Sequence, residues 1–162
     1  MSMTHYMELL ASNQPWNLLL FMAIPVVLAE TVAITELVVL FDRRTTGWVK
    51  QLNRLAGMAG GVYFAVVFVY LLATAAWPLT VGQQWRGPID VIAVGFYLFG
   101  IVPLGGIALL DFGLIGRGAD ETGRLKLHAS FVGLFLITAH VAMIAGMLSP
   151  AVFGYGGGHS AH

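Results

Sequence analysis

Residues 28–44 read LAETVAITELVVLFDRR, and they close an apolar run that begins at Trp16. A helix rises about 1.5 Å per residue, so the run from Trp16 to Phe41 is long enough to cross a hydrocarbon layer. Two carboxyl side chains, Glu30 and Glu36, lie inside this run, where an ionised carboxylate is costly unless it finds a partner or a proton. The stretch therefore predicts a membrane-spanning helix that carries two paired or functional carboxyls.

The composition of the whole chain supports a membrane protein. Of its 162 residues, 58% are hydrophobic and only 10% are charged, whereas about a quarter of the residues are charged in soluble domains. The formal net charge is zero, which gives no basis for a nucleic-acid partner. Cysteine is absent, so disulfides, thiolate metal sites, iron–sulfur clusters and cysteine nucleophiles are excluded.

Four apolar runs have the length of a membrane span, at residues 16–41, 55–79, 89–114 and 127–148. The connections between them are short and polar, which favours sequential antiparallel helices, and runs without strand alternation favour helices over a barrel in lipid. The sequence predicts an all-α integral membrane protein, a four-helix transmembrane bundle forming one domain over residues 1–162. A short interfacial helix is expected before Trp16, and a flexible tail over 150–162.

The basic residues predict the orientation of the bundle. Seven of the eight lie in the first and third connections: Arg43, Arg44, Lys50, Arg54, Arg117, Arg124 and Lys126. Because loops rich in Lys and Arg stay in the cytoplasm, both termini are expected on the non-cytoplasmic side of a bacterial-type inner membrane. No Lys or Arg precedes the first span, so the N-terminus lacks the basic region of a cleavable signal peptide.

Glycine and proline mark two kinds of helix feature. Pro25 interrupts the first run and Pro103 the third, which predicts kinks that either tighten the packing or free carbonyl groups for a ligand. Gly57 and Gly61 form a GxxxG motif, a surface on which another helix approaches closely. The tyrosines at 63, 70 and 97 need partners for their hydroxyls at membrane depth, in a polar network or a quinone pocket.

The buried ionisable side chains fall into two tiers when they are placed by depth. Glu36 is six residues before Asp42 and is expected about 9 Å from the cytoplasmic boundary, with Glu30 near the midplane. His128 follows Lys126 by two residues and is expected near the same boundary, about 18 Å below His140. Glu30 and His140 then share the middle of the membrane, and Glu36, His128 and Asp111 share its cytoplasmic half. Such carboxyls can relay protons, orient a metal-binding histidine, or bridge helices in protonated form.

The fourth run carries a possible cofactor stripe. His140, Met143 and Met147 follow the helical spacing i, i+3, i+7, and imidazole with thioether is a ligand set for copper and for haem b. His128 is a further candidate ligand. The alternative is that the methionines fill the core while His140 binds a buried polar group. His159 and His162 in the tail are a weaker metal candidate.

These patterns lead to three functional interpretations. The first is a small subunit of a redox or respiratory assembly that binds haem b or a metal near His140. The second is a proton-coupled membrane carrier, expected to be oligomeric because four helices leave little room for a path. The third is a structural subunit without a cofactor. A di-iron centre is disfavoured because no Glu-x-x-His pair is present, and di-haem cytochromes of the b561 type need more histidines within the bundle than His128 and His140.

Overall fold

The structure is a computed structural model that describes residues 3–41 and 47–150. A short helix precedes four long ones, and the described residues contain no strand: α1 (His5–Ala11), α2 (Trp16–Phe41), α3 (Gly47–Val81), α4 (Pro88–Asp111) and α5 (Glu121–Met147). The four long helices all have the length and apolar composition needed to cross a membrane. The predicted all-α fold with four membrane-spanning helices and a short N-terminal helix is therefore confirmed.

The helix ends differ from the ends of the apolar runs. α3 begins at Gly47 and α5 at Glu121, well before the predicted starts at 55 and 127, because a helix continues through polar turns outside the apolar region. The side chain of Asp120 caps α5 by accepting a hydrogen bond from the Gly123 amide at 2.8 Å, which satisfies one free N–H of the first turn. α4 ends at Asp111, before the predicted position 114.

Each long helix packs on the next one in the chain: α2 on α3, α3 on α4, and α4 on α5. By contrast, α2 and α5 touch over only a short stretch, so the seam between them is the most open in the bundle. A buried apolar core fills the middle of the bundle and holds side chains from all four helices: Ala29, Val32, Ala56, Phe64, Leu104, Ile107, Val132 and Phe135. We call this set the central core.

The GxxxG motif mediates contact inside the chain, between α3 and α4. A Cβ atom added to Gly61 would lie 2.7 Å from the carbonyl oxygen of Leu104, and one on Gly57 would lie 2.8 Å from Ile107 Cγ2. Only glycine permits the two backbones to come this close. The predicted close-approach face is therefore occupied by α4.

Pro25 produces a local rearrangement in α2. A π-helical turn, Leu19–Ala23, ends two residues before the proline, and the Ile24 amide bonds the carbonyl of Leu19. Because Pro25 has no N–H, the carbonyls of Leu20 and Phe21 lose the donors that a regular helix would give them. Tyr63 and Tyr97 replace those donors.

The Tyr63 hydroxyl donates to Leu20 O at 2.9 Å, and the Tyr97 hydroxyl donates to Phe21 O at 2.5 Å. These two hydroxyls thus belong to a polar network, one of the two uses that the sequence left open for the tyrosines. α3 has a similar π-helical turn, Leu72–Ala76, which ends two residues before Pro78.

Removal of the Tyr97 hydroxyl tests this arrangement. We expect Tyr97→Phe to lower the free energy of unfolding by about 1–3 kcal/mol, since the buried Phe21 carbonyl loses its donor. The same change in a Pro25→Ala background should cost much less, because residue 25 then supplies an N–H. Tyr70→Phe is the control, since the Tyr70 hydroxyl makes no hydrogen bond within the described chain. Reversible unfolding in mixed micelles measures the unaltered chain and the four variants, and an equal cost in both backgrounds would contradict the assignment.

α1 lies across one end of the bundle and is held there by polar contacts. We call this end the α1 end. The backbone amide of His5 donates to Asp90 Oδ1 at 2.7 Å, and the His5 ring lies 2.5 Å from Asp90 Oδ2. Thr4 donates to the carbonyl of Gly146 at 2.9 Å, and Arg86 pairs with Glu8. Sequence reasoning missed Asp90, which is completely buried in the first turn of α4.

The aromatic side chain of α1 reaches into the bundle. Tyr6 is buried, with its ring centroid 5.2 Å from that of Tyr97, and burial raises the pKa of Tyr6 to about 12. The phenol is therefore neutral at physiological pH. A Cβ atom on Gly146 would lie 2.6 Å from the Tyr6 ring, so the small residue in α5 makes room for it. The N-terminal helix is thus part of the packed bundle.

Candidate functional site

Three ionisable side chains from three helices meet near the end of the bundle opposite α1. His128 of α5 has its Nδ1 atom 2.8 Å from Glu36 Oε2 of α2, and its Nε2 atom 3.5 Å from Asp111 Oδ2 at the end of α4. Glu36 is 4% exposed and His128 is 5% exposed. We call Glu36, Asp111 and His128 the acid–histidine cluster. The structure thus brings together the three residues that the depth argument placed in the lower tier.

The cluster contains close contacts that are not aligned hydrogen bonds. Within the described chain, both ring nitrogens of His128, Glu36 Oε1 and Asp111 Oδ2 are buried without a hydrogen-bond partner of good geometry. The distances alone show that the imidazole lies between the two carboxyls, so charge attraction acts even where direction is poor. Small rotations of these side chains would exchange one contact for another.

Asn53 of α3 adds a fourth helix to this region. Its side-chain nitrogen donates toward Thr35 Oγ1 at 2.9 Å, Val32 O at 3.1 Å and Glu36 Oε2 at 3.2 Å. Sequence reasoning missed Asn53 because it began the second span at residue 55. The helical spacing of Asn53 from Gly57, Gly60 and Phe64 is the signal that could have found it, since all four are buried along α3.

A cavity of about 430 Å³ adjoins the cluster on the side away from α1. Its lining includes all three residues of the cluster together with Lys50, Arg54 and Arg124. Arg54 donates to the carbonyl of Asp111 and Arg124 to that of Leu110, both at 3.0 Å. We call this the basic end of the bundle. The lining also contains Glu121, so three cationic side chains and three carboxyls share it, and the cavity gives the cluster a route to that end.

The upper tier is built differently. Glu30 and His140 line one cavity of about 210 Å³ between α2 and α5, yet no hydrogen bond or ion pair joins them in the described ranges. Both side chains are exposed, and the His140 ring nitrogen Nδ1 lies 2.6 Å from the carbonyl of Leu136 on its own helix. Glu30 and His140, which the depth argument placed at one level, therefore line the same cavity without forming a pair.

The proposed copper or haem stripe lies along the same seam. Met143 lines the cavity beside His140 and is 42% exposed, whereas Met147 is 72% exposed. Over residues 3–41 and 47–150, no three or more His, Asp or Glu side chains are grouped so as to hold a metal ion. The two carboxyls of the cluster contact opposite nitrogens of His128, so they do not converge on one point. A cofactor at His140 stays a prediction.

Several predicted features lie outside the described residues. Arg43 and Arg44 belong to the segment 42–46, and His159 and His162 belong to 151–162, which also contains most of the predicted tail.

The geometry of the acid–histidine cluster suits proton exchange. A neutral imidazole accepts a proton on one nitrogen and donates from the other, and in this cluster each nitrogen has its own carboxyl. The central core lies between this cluster and the upper cavity. A proton on the cluster is therefore accessible from the basic end and separated from the α1 end by apolar side chains.

Four long apolar helices with buried ionisable groups define the class: an all-α, multi-pass membrane protein that lies in a lipid bilayer. The chain belongs to a family of unknown function, DUF6803, whose model matches residues 1–162. No curated protein matches the sequence, and no solved structure matches it either.

Proposed function

We propose that the protein is a proton-coupled membrane carrier in which Asp111, His128 and Glu36 bind and pass the coupling proton. The observation that supports this proposal is the position of His128, with one carboxyl at each ring nitrogen, beside a cavity at the basic end. Ionisable side chains inside a membrane bundle are retained at a cost and characterise proton pathways.

The proton step follows from the contacts. A proton arriving through the cavity binds Asp111 and is transferred to Nε2 of His128, and the proton on Nδ1 then passes to Glu36. The separation of 3.5 Å between Asp111 Oδ2 and Nε2 is closed by a small rotation or by one bridging water. This transfer leaves the ring protonated on Nε2, and the reverse transfers through Glu36 and Asp111 restore the starting tautomer. No group other than a proton is transferred in this sequence.

The central core favours a mechanism in which proton movement is coupled to helix movement, and disfavours a simple proton leak. The apolar side chains of the central core, Val32, Ile107 and Val132 among them, lie above the cluster, so in this proposal the proton stays on the cluster until the helices rearrange. Alternating access requires this kind of closed layer beside a binding site. The breaks at Pro25 and Pro78 give α2 and α3 points at which such a rearrangement can bend them.

The proposal includes an orientation and an assembly. The basic end, with Lys50, Arg54, Arg124 and Lys126 among its residues, is assigned to the cytoplasm of a bacterial-type inner membrane, and both termini to the other side. A single bundle of this size offers a narrow path, so the carrier is proposed to work as an oligomer. The alternative of a redox or respiratory subunit with haem b or copper receives no support from a converged ligand set at His140.

A pH jump tests the proton site without knowledge of the carried molecule. Proteoliposomes on a solid-supported membrane should give a transient current when the bath is acidified, because protons that enter the cluster move charge partway across the membrane. We expect His128→Asn to reduce the charge displaced by about tenfold or more, since the amide cannot take up a proton.

The matched control is the same substitution in the other histidine of α5. His140→Asn should leave the current close to that of the unaltered protein, because His140 is not part of the cluster. Equal currents from His128→Asn and the unaltered protein, with both proteins folded by circular dichroism, would refute the proton-binding role of the cluster.

A further inference from the structure

The cavity between α2 and α5 has the size and walls of a ligand site. It measures about 210 Å³, and its lining includes the aromatic side chains of Tyr6, Phe21, Phe64, Phe96 and Phe135. An apolar cavity of about 150 Å³ is enough to hold benzene. This cavity can therefore take one group the size of a benzene ring together with a small polar head.

Among the polar groups that line the cavity, the hydroxyl donors are already used within the protein. Mainly hydrogen-bond acceptors therefore remain for a ligand. The hydroxyl of Thr138 donates to Phe135 O at 2.9 Å, and that of Tyr97 donates to Phe21 O. His140 has its Nδ1 against the Leu136 carbonyl, which can only accept, so a neutral ring carries its proton there and presents Nε2 as an acceptor. Glu30 makes no hydrogen bond or ion pair in the described part of the chain.

The carboxylate of Glu30 determines the charge that a ligand of this cavity must carry. A carboxylate in the middle of an apolar span needs a proton or a cation beside it, and no Lys or Arg lines this cavity. Tyr6, the remaining titratable group of the lining, is a neutral phenol. A quinone offers only carbonyl acceptors and would leave both Glu30 and His140 Nε2 without a donor. A positively charged donor satisfies the carboxylate, and the aromatic walls attract the same charge through their π faces.

From these contacts we infer that the cavity binds a small organic ammonium ion with one aromatic-sized apolar group, which enters from the lipid through the open seam between α2 and α5. Glu30 is the counterion and the four phenylalanines hold the apolar group. The site is separate from the acid–histidine cluster, so this binding does not depend on the proposed proton coupling.

Benzylammonium is a suitable probe because its ammonium group carries N–H donors, and ethylbenzene is its neutral isostere with carbon in place of nitrogen. Equilibrium binding to the full chain in detergent micelles should be saturable for the ammonium ion, and the neutral isostere should compete at least about tenfold more weakly, a difference of about 1.4 kcal/mol. Glu30→Gln should weaken binding of the ammonium ion by a similar factor, because the counterion is lost while the shape is kept.

Three variants make the result decisive. Glu121→Gln removes one carboxylate at the far end of α5 and should leave the affinity unchanged. Glu30→Asp keeps the charge and should retain most of the binding, which excludes a folding defect at this position. His128→Asn should also bind normally, so a failure of the proton-carrier proposal is distinguishable from a failure here. Equal competition by the isostere, or no saturable binding of the ammonium ion, would overturn the inference.

Discussion

His128→Asn should lower the free energy of unfolding by about 3 kcal/mol, since removing one partner of a buried ion pair leaves an uncompensated charge. In the native protein the imidazole lies between Glu36 and Asp111, and both Glu36 and His128 are nearly inaccessible. The imidazole is the cation of this pair when it holds the proton, and the amide cannot take up that proton, so two carboxyls then share one buried region without a positive charge between them. Unfolding in mixed micelles at neutral pH measures the loss.

A double-mutant cycle separates the ion pair from simple loss of packing. Glu36→Gln in the His128→Asn background should recover part of the stability, because one of the two unpaired carboxylates is replaced by a neutral amide of the same shape. The coupling between positions 36 and 128 is expected to reach about 1–3 kcal/mol, as for residues in direct contact. His140→Asn is the comparison on the same helix, and its effect should be within about 0.5 kcal/mol, as for an exposed position. Strict additivity at 36 and 128 would show that no ion pair stabilises the fold.

The lower tier was predictable because depth follows from counting residues. The rise per residue of a helix is nearly constant, so the spacing from Asp42 to Glu36 and from Lys126 to His128 placed both side chains at one level. The direction in which a side chain points depends on how the helices pack, and that is not determined by counting. Glu30 and His140 line one cavity, yet no hydrogen bond or ion pair joins them, and both side chains are exposed.

The residues that sequence reasoning missed lie at the edges of the apolar runs. Asn53 and Asp90 are polar and fall next to connections, so hydropathy assigned Asn53 to a loop and gave Asp90 no role. Asn53 is buried because α3 extends beyond the apolar region and packs against α2 there, whereas Asp90 lies at the start of the third apolar run and is covered by α1. Hydropathy reports which residues contact lipid, and it does not report which polar residues are covered by another helix.

The sequence predicted only part of the structural effect of Pro25. The sequence indicated a break at Pro25 and hydroxyl groups at membrane depth on Tyr63 and Tyr97. It did not indicate that these hydroxyls would bond the carbonyls released by the break, because this requires the relative positions of α2, α3 and α4. In the structure, the carbonyls released at Pro25 and the hydroxyls of Tyr63 and Tyr97 form one hydrogen-bond network.

Substitution of Gly61 should destabilise the bundle most among the glycines, because α3 and α4 touch there through their backbones. A side chain at this position meets the Leu104 carbonyl and the Ala108 side chain, neither of which can rotate away. We expect Gly61→Val to lower the free energy of unfolding by about 3 kcal/mol, the upper end of the usual cost of overpacking a core. Thermal unfolding followed by circular dichroism gives the comparison with the unaltered chain.

Gly105→Val in α4 is the matched control, since no atom lies within 4 Å of a Cβ atom built there. That change should be neutral or slightly stabilising, because valine favours a helix over glycine by roughly a few tenths of a kcal/mol. The consequence of Gly61→Val also extends to the cluster: a wider separation of α3 and α4 shifts the end of α4, where Asp111 approaches His128. The displaced charge in the pH-jump experiment should therefore fall in Gly61→Val and not in Gly105→Val. Loss of stability without any loss of current would show that the cluster does not depend on this helix contact.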